Sequence, residues 1–228
     1  MSRKEPRTLS KSKILSFRQC PKKLWLELHR PELGLPSDDS QARFVAGRQV
    51  GGVARRIFDP KSTGELIDVA RSGYDGAFAR TRALLKQTQP IFEAGFAASG
   101  AISFADILLP VRKKGKQLWR MIEVKSSTSV KDYHREDAAI QAYVANAAGV
   151  LLSSVAIAYV NTQFKYAGDN DYQALLEQED VTAATHRRAP EVKEWIAAAQ
   201  AIAAQASEPA KTTGSHCAKP FDCGFLEY

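Results

Sequence analysis

The chain is predicted to be an α/β domain in which helices flank a small mixed sheet, made of a three-strand meander, a helix and one further strand. Three observations carry this expectation. The apolar spacing is helix-like through Lys86, strand-like from Pro90 to Lys125, and helix-like again from Asp132. Two dipeptides suited to tight turns, Ser99-Gly100 and Lys114-Gly115, separate the strand-like runs. The Val-, Ile-, Ala- and Tyr-bearing stretch Ser154 to Val160 then supplies a strand that can pair with the meander. The 228 residues fit a single domain over 1–228 and suffice for a buried core.

The elements follow in order. Ser10 can cap a helical turn beginning at Lys11, and Pro21 suits the first position of a second helix, Pro21 to His29. The Pro-, Gly- and Ser-bearing stretch from Pro31 to Ser40 breaks it. Gln41 to Phe58 is predicted helical because Phe44, Val45, Val53, Ala54, Ile57 and Phe58 share a broad face. A loop (Asp59 to Gly64) and another helix (Gly76 to Lys86) precede the strands Pro90 to Ala98, Ala101 to Leu109 and Gln117 to Lys125. Asp132 to Ala148 is helical, as is the alanine-rich Pro190 to Ala204. Ser207 to Gly214 reads as a linker, and His216 to Tyr228 shows little periodicity.

Composition bounds the function. An apolar fraction of 44% and an aromatic fraction of 9% exclude a disordered chain. The longest apolar candidate, Ala147 to Val160, is cut by Gly149 and two serines, so no membrane partner is expected. The opening MSRKEPRTLSKSK is basic but lacks the apolar stretch of a secretory signal, which points to a cytoplasmic location. Three cysteines are too few for a disulfide scaffold there. The formal charge of +7 permits a polyanionic partner without requiring one.

The chemistry lies where charges interrupt apolar strands. Asp106 sits within Ala-Ile-Ser-Phe-Ala-Asp-Ile-Leu-Leu, and Glu93 lies between Phe92 and Ala94. Glu123 and Lys125 are two apart in Trp-Arg-Met-Ile-Glu-Val-Lys, hence on one face of a strand. Carboxylates are seldom buried unless paired or bound to a cation. If the three strands are neighbours, Glu93, Asp106, Glu123 and Lys125 converge, and oxygen ligands suit a hard cation such as Mg²⁺ or Mn²⁺. The lysine would orient or activate water and offset phosphate charge. The plainer alternative makes Glu123 and Lys125 an ordinary solvent-facing pair.

Glu93, Asp106 in "SFADILLP", "IEVK" at Ile122 to Lys125 and then Gln141 resemble, in that order, the PD-(D/E)XK restriction-endonuclease-like nuclease core. More closely the chain resembles its RecB-like branch, which includes the iron–sulfur CRISPR-adaptation exonucleases. "SKSKILSFRQCPKKLWLELHRPEL" and "GRQVGGVARRIF" look like an uncharacterised bacterial offshoot. The resemblance covers roughly residues 10 to 228. It implies that "EDAAIQAYV" completes the site with Gln141 and Tyr143, and that the Val124 carbonyl joins Glu93, Asp106 and Glu123 as a metal ligand. Asp137, four residues before Gln141, shares its helix face. Many members carry a further histidine ligand on the preceding helix, where this chain has Gly51.

The same resemblance implies a 4Fe–4S cluster, with Cys20 in "CPKKLW" and Cys217 and Cys223 in "HCAKPFDC" as three ligands. A fourth is expected near or just after Tyr228, and residues 10–30 and 215–228 would form the cluster subdomain. Zinc held by Cys20, Cys217, Cys223 and His216, or three free thiols, are the alternatives on residue type alone.

Basic residues are dense in the first helices. Lys22, Lys23, Arg48 and Arg55 are the candidates for phosphate contact, against the reading of a solvated helix face. The implied function is a Mg²⁺- or Mn²⁺-dependent deoxyribonuclease, in exonuclease mode, serving DNA repair, recombination or defence. The alternative is a non-catalytic nucleic-acid-binding accessory module of the same fold.

Overall fold

Ser10 sets the start of the first helix, as expected: its hydroxyl accepts a hydrogen bond from the Lys13 amide at 3.4 Å. The computed structural model describes residues 7–35 and 38–228, with backbone alone for 38–44. It is a mixed α/β structure whose seven-stranded sheet is flanked by helices. Strand β1 (Leu9–Ser10) leads into α1 (Lys11–Gln19). Extended Cys20 then separates α1 from α2 (Pro21–His29), which begins at Pro21. Helix α3 (Asp38–Phe58) starts slightly ahead of the expected Gln41 and stops at its expected end.

The loop after α3 is tied by Asp59, whose carboxylate accepts hydrogen bonds from the Thr63 amide and hydroxyl, both at 3.1 Å, and the Gly64 amide at 2.7 Å. Strand β2 (Glu65–Leu66), too short for any periodic signal, follows. Helix α4 (Val69–Leu84) opens well before the expected Gly76. Asp68 caps it through the Arg71 amide at 3.2 Å, and Gly73 takes a φ of 67° where the helix kinks.

The meander is present. Strands β3 (Ile91–Ala98), β4 (Ala101–Lys113) and β5 (Lys116–Lys125) run antiparallel. Both turn dipeptides are doubly left-handed, with φ of 52° and 76° at Ser99 and Gly100 and 49° and 76° at Lys114 and Gly115. That conformation matches strand twist in two-residue hairpins. Helix α5 (Asp132–Ala147) crosses over to β6 (Leu152–Val160), which lies parallel to β5 with Glu123 beside Ile157. Edge strand β7 (Leu176–Asp180) was not expected from the sequence, being short and acidic, and it pairs antiparallel with β6. Helix α6 (Thr182–Ala203) carries Pro190 inside rather than at its start. The earlier start is anchored by the Thr182 hydroxyl, which accepts from the Val155 amide at 2.9 Å, and by Asp180, which accepts from the Thr182 amide at 2.8 Å.

The sheet order is β2-β3-β4-β5-β6-β7, with β1 parallel to β4 through Leu9 and Ala101. One face packs Ile91, Ala94, Ala105, Met121 and Ile157 against residues of α5, α6, α4 and α1. The opposite face packs Phe92, Ile107, Ile122 and Ala158 beneath Ala54 of α3. Side chains normally alternate between faces along a strand. That alternation slips once in β3, between Phe92 and Ala94, and once in β4, between Ala105 and Ile107. The residues at the two slips are Glu93 and Asp106.

Among the described residues no helix is long and apolar enough to cross a membrane.

Candidate active site

The pairing of the backbones places the three strand carboxylates in one row. Phe92 pairs with Ile107 and Ala94 with Ala105, so Glu93 lies opposite Asp106. Ile107 pairs with Ile122, and the next step of that register sets Asp106 against Glu123. Glu93 holds a φ of 55°, a left-handed conformation uncommon for any residue but glycine, asparagine or aspartate. Its place in the ladder is interrupted, as at a β-bulge, a device that re-aims a side chain. Asp106 replaces a ladder contact: its Oδ2 accepts a hydrogen bond from the Val124 amide at 2.6 Å.

The row opens on a cavity of about 690 Å³ lined by Glu93, Asp106, Glu123, Val124 and Lys125, with Arg48, Gly51 and Arg55 of α3 across from them. Asp106 is pushed well above the ordinary carboxylate range, by burial first and then by the negative charge of Glu123, with Lys11 opposing. Burial and Glu123 likewise raise Glu93. Among the described residues Glu93 has no ion pair or hydrogen bond from its side chain. Gly51 faces open space, so a side chain at that position would project into unfilled volume.

Beneath the row is a network the sequence showed only in part. Lys125 Nζ donates to Glu123 Oε1 at 2.7 Å and, more closely still, to Asp137 Oδ2. Lys11 Nζ donates to Asp137 Oδ1 at 2.7 Å and reaches Glu123 Oε1 at 3.3 Å. The Gln141 amide nitrogen donates a short bond to Glu123 Oε2 and a long one to Asp137, at 3.4 Å. Glu123, Asp137 and Gln141 are buried, while the two lysines keep about a fifth of their side chains exposed. Burial alone would lower both lysines, but Asp137 and Glu123 more than reverse this and raise them. Burial would raise Asp137, yet Lys11 and Lys125 hold it far below its ordinary value. Both lysines are therefore charged at neutral pH. Nearby, burial and then Lys125 push His134 down to about 4, and its Nδ1 accepts from the Lys131 amide at 3.1 Å, as a neutral ring would.

Glu93, Asp106, Glu123, Val124, Lys125 and Gln141 thus come together, with Arg48 and Arg55 beside them. Three candidates do not. Tyr143 lies two residues beyond Gln141, about 200° round α5, and lines a separate cavity with Leu118, Leu151 and His186. Lys22 pairs with Glu208 at 3.2 Å and sits over the Tyr228 ring, serving the attachment of the C-terminal segment. Lys23 donates to Gln19 at 2.7 Å and lines another cavity, with Leu15, Tyr133 and Phe221. None of Tyr143, Lys22 or Lys23 lines the carboxylate cleft. Helical spacing does not say which groove a basic face borders. At the position where the resemblance leads one to expect a histidine, Gly51 lines the cleft and brings no ligand.

Sequence reasoning missed Lys11, counted only as one of many basic residues, and the ionic role of Asp137. The signal for Asp137 was its position one turn before Gln141; nothing local marks Lys11.

The cysteine-bearing segments do approach each other. Gln19, next to Cys20, donates to the carbonyls of His216 at 2.8 Å and Phe221 at 2.7 Å. Cys20 is buried, Cys217 and Cys223 are half-buried, and all three are free thiols. Cys217 Sγ lies 3.7 Å from His216 Nε2. Among the described residues, no three His, Cys, Asp or Glu side chains group closely enough to hold a metal ion as they stand, at the cysteines or at the carboxylate row.

No family model matches the chain, and no curated protein matches it. Among solved structures the chain is similar to the crystal structure of SSO0001. That likeness has 14% identity over 84% of this chain and 77% of the other, with a TM-score of 0.34, and it carries no argument.

Proposed function

We propose that the chain is a divalent-cation-dependent deoxyribonuclease with a PD-(D/E)XK, RecB-like core. One observation carries the reading: Glu93, Asp106 and Glu123 occupy one level of three adjacent strands, with Lys125 two residues on, at the mouth of an arginine-bordered cleft. The donor chemistry fits a hard cation. Glu93 and Asp106 are oxygen ligands whose charge is disfavoured by burial and by Glu123, a cost that a cation in the cleft relieves. Glu93, Asp106, Glu123 and the Val124 carbonyl would hold Mg²⁺ or Mn²⁺. When bound, such an ion polarises a phosphoryl oxygen and acidifies water.

The chain's own groups supply the rest. Lys125, charged and partly exposed, can meet a phosphate oxygen or orient the attacking water while Asp137 holds its ammonium in place. Gln141 orients Glu123 by donating to its far oxygen, opposite the one held by the lysines. Arg48 and Arg55 border the side from which a polyanion would enter. No step is routed through Cys20, Cys217 and Cys223, which are free thiols.

A second reading has its own observation. Glu123 is already engaged by Lys11, Lys125 and Gln141, as in a nucleic-acid-binding module that does not cut. Digestion of end-labelled single- and double-stranded DNA with Mg²⁺ or Mn²⁺ separates the two. Cleavage that needs the ion and disappears in Lys125→Ala supports the nuclease. DNA binding without cleavage by the wild type overturns it.

A further inference from the structure

We infer that Lys11 is a second lysine of this site, a positioning residue that acts through Asp137 and Glu123. The inference rests on the nuclease reading for its effect on turnover.

The placement is built from a distance. Strand β1 pairs with β4 at Leu9–Ala101 and Ser10–Ile102, and the Leu9 amide donates to the Gly100 carbonyl at 3.0 Å. This holds the N-terminus of α1 over the sheet, and Ser10 caps the helix that starts with Lys11. A lysine at a helix N-terminus opposes the helix dipole, and α1 has no acidic residue in its first turn to offset it. Helix stability therefore does not account for Lys11. Its neighbour Lys13 has a partner within the helices, Glu27 at 2.9 Å, whereas Lys11 turns inward to Asp137 and Glu123.

Charge counting states what it does there. Lys11 and Lys125 are matched by Asp137 and Glu123, leaving Glu93 and Asp106 as the acids of the row without an ion pair among the described residues. Without Lys11, a single ammonium serves both Asp137 and Glu123. Lys125 is then held between two carboxylates as their only counter-ion and is less available to a phosphate or a water. The site also gains one net negative charge, which makes it more attractive to a divalent cation. Lys11 thus weakens cation affinity while keeping Lys125 in working position. These two effects have opposite signs, and simple loss of folding would not produce that pattern.

The test uses Lys11→Met and Lys11→Arg in the full chain, with Mn²⁺ binding followed by calorimetry alongside steady-state DNA cleavage. For Lys11→Met the expected result is Mn²⁺ binding about fivefold or more tighter, kcat lowered about tenfold or more, and KM for DNA nearly unchanged. Lys11→Arg, which keeps the charge, should restore most of both. Lys11→Met with wild-type Mn²⁺ affinity and wild-type kcat overturns the inference and leaves the nuclease reading intact. Weaker Mn²⁺ binding and lower kcat together, with a lowered melting temperature, also overturn it, in favour of a purely structural ion pair. If the wild type does not cut DNA, the nuclease reading falls; tighter Mn²⁺ binding by Lys11→Met then still upholds the lysine's part in setting the charge of the row.

Discussion

Replacing Asp106 by asparagine should abolish cleavage and yet stabilise the fold. Asp106 lies one strand from both Glu93 and Glu123, and its proton affinity is raised by burial and by those charges, net of the opposing lysines. Facing carboxylates about 6 Å apart at an effective dielectric of about 20 to 40 repel by roughly 1.5–3 kcal/mol per pair, before Lys11 and Lys125 offset part of it. Against this stands the bond from the Val124 amide to Asp106 at 2.6 Å. An amide oxygen can accept the same bond, but without the charge it is weaker by about 1 kcal/mol. The raised proton affinity shows that the unfavourable terms win, and asparagine resembles the protonated acid. A gain of about 1 kcal/mol follows, or roughly 2–4 °C in melting temperature for a chain of this size.

The sign with pH is fixed. A carboxyl whose folded pKa is raised favours the fold below the unfolded value and loses that contribution as pH rises through the folded one. The gap between Asp106→Asn and the wild type should therefore be widest near neutral pH and close on acidification. The assay is thermal unfolding followed by circular dichroism in EDTA from pH 4 to 8, then repeated with Mg²⁺. The ion should raise the wild type and leave the variant behind. A variant less stable than the wild type at pH 7 in EDTA would refute the electrostatic account of the row and make Asp106 a structural anchor.

Gln141→Ala should lower kcat about tenfold with DNA affinity unchanged, since the amide fixes Glu123 and carries no charge; steady-state kinetics reads the split. Tyr143→Phe should cut DNA at the wild-type rate, because its ring lines a different cavity. Arg55→Ala should weaken DNA binding and flatten its dependence on salt, whereas Lys22→Ala with Lys23→Ala should leave the slope unchanged; titrations at several salt concentrations decide. Asp59→Ala should cost about 1–3 kcal/mol in urea unfolding at pH 7, as three donors lose their acceptor. Burial opposes these bonds but they win, so Asp59 has a lowered folded pKa, and its contribution is present above the ordinary carboxylate range and lost as pH falls through the lowered value.

What was legible in the sequence was legible for local reasons. Period-two spacing put Glu123 and Lys125 on one face, and there Lys125 indeed pairs with Glu123 as well as with Asp137. The two turn dipeptides fixed the strand order of the meander, and that order alone brings Asp106 between the other two acids. Strands of two residues leave no periodic trace, which hid β1 and β2, and with β1 went the placement of Lys11. A contact spanning 112 residues, Lys11 to Glu123, is decided by sheet pairing and not by any neighbour in sequence. Tyr143 was misplaced because proximity along a helix was taken from resemblance, whereas two residues turn a side chain to the far side. The slip of both strands at Glu93 and Asp106 had no local marker either, since neither is a glycine.

Gln19 holding the carbonyls of His216 and Phe221 also sets an order in time. The Trp25 indole likewise donates to the Gln205 carbonyl at 3.0 Å, and His29 Nε2 lies 3.0 Å from the Ala203 carbonyl. Helices α1 and α2 thus take part of their seating from residues 174 to 202 positions further along the chain. Contacts of such sequence separation are late and slow to form. During synthesis the strand acids can line up as soon as the meander closes, but α1 and its lysine lack their full support. The carboxylate row and the lysine that braces it are therefore assembled by contacts of very different range, the row by neighbouring strands and the brace by segments far apart in sequence.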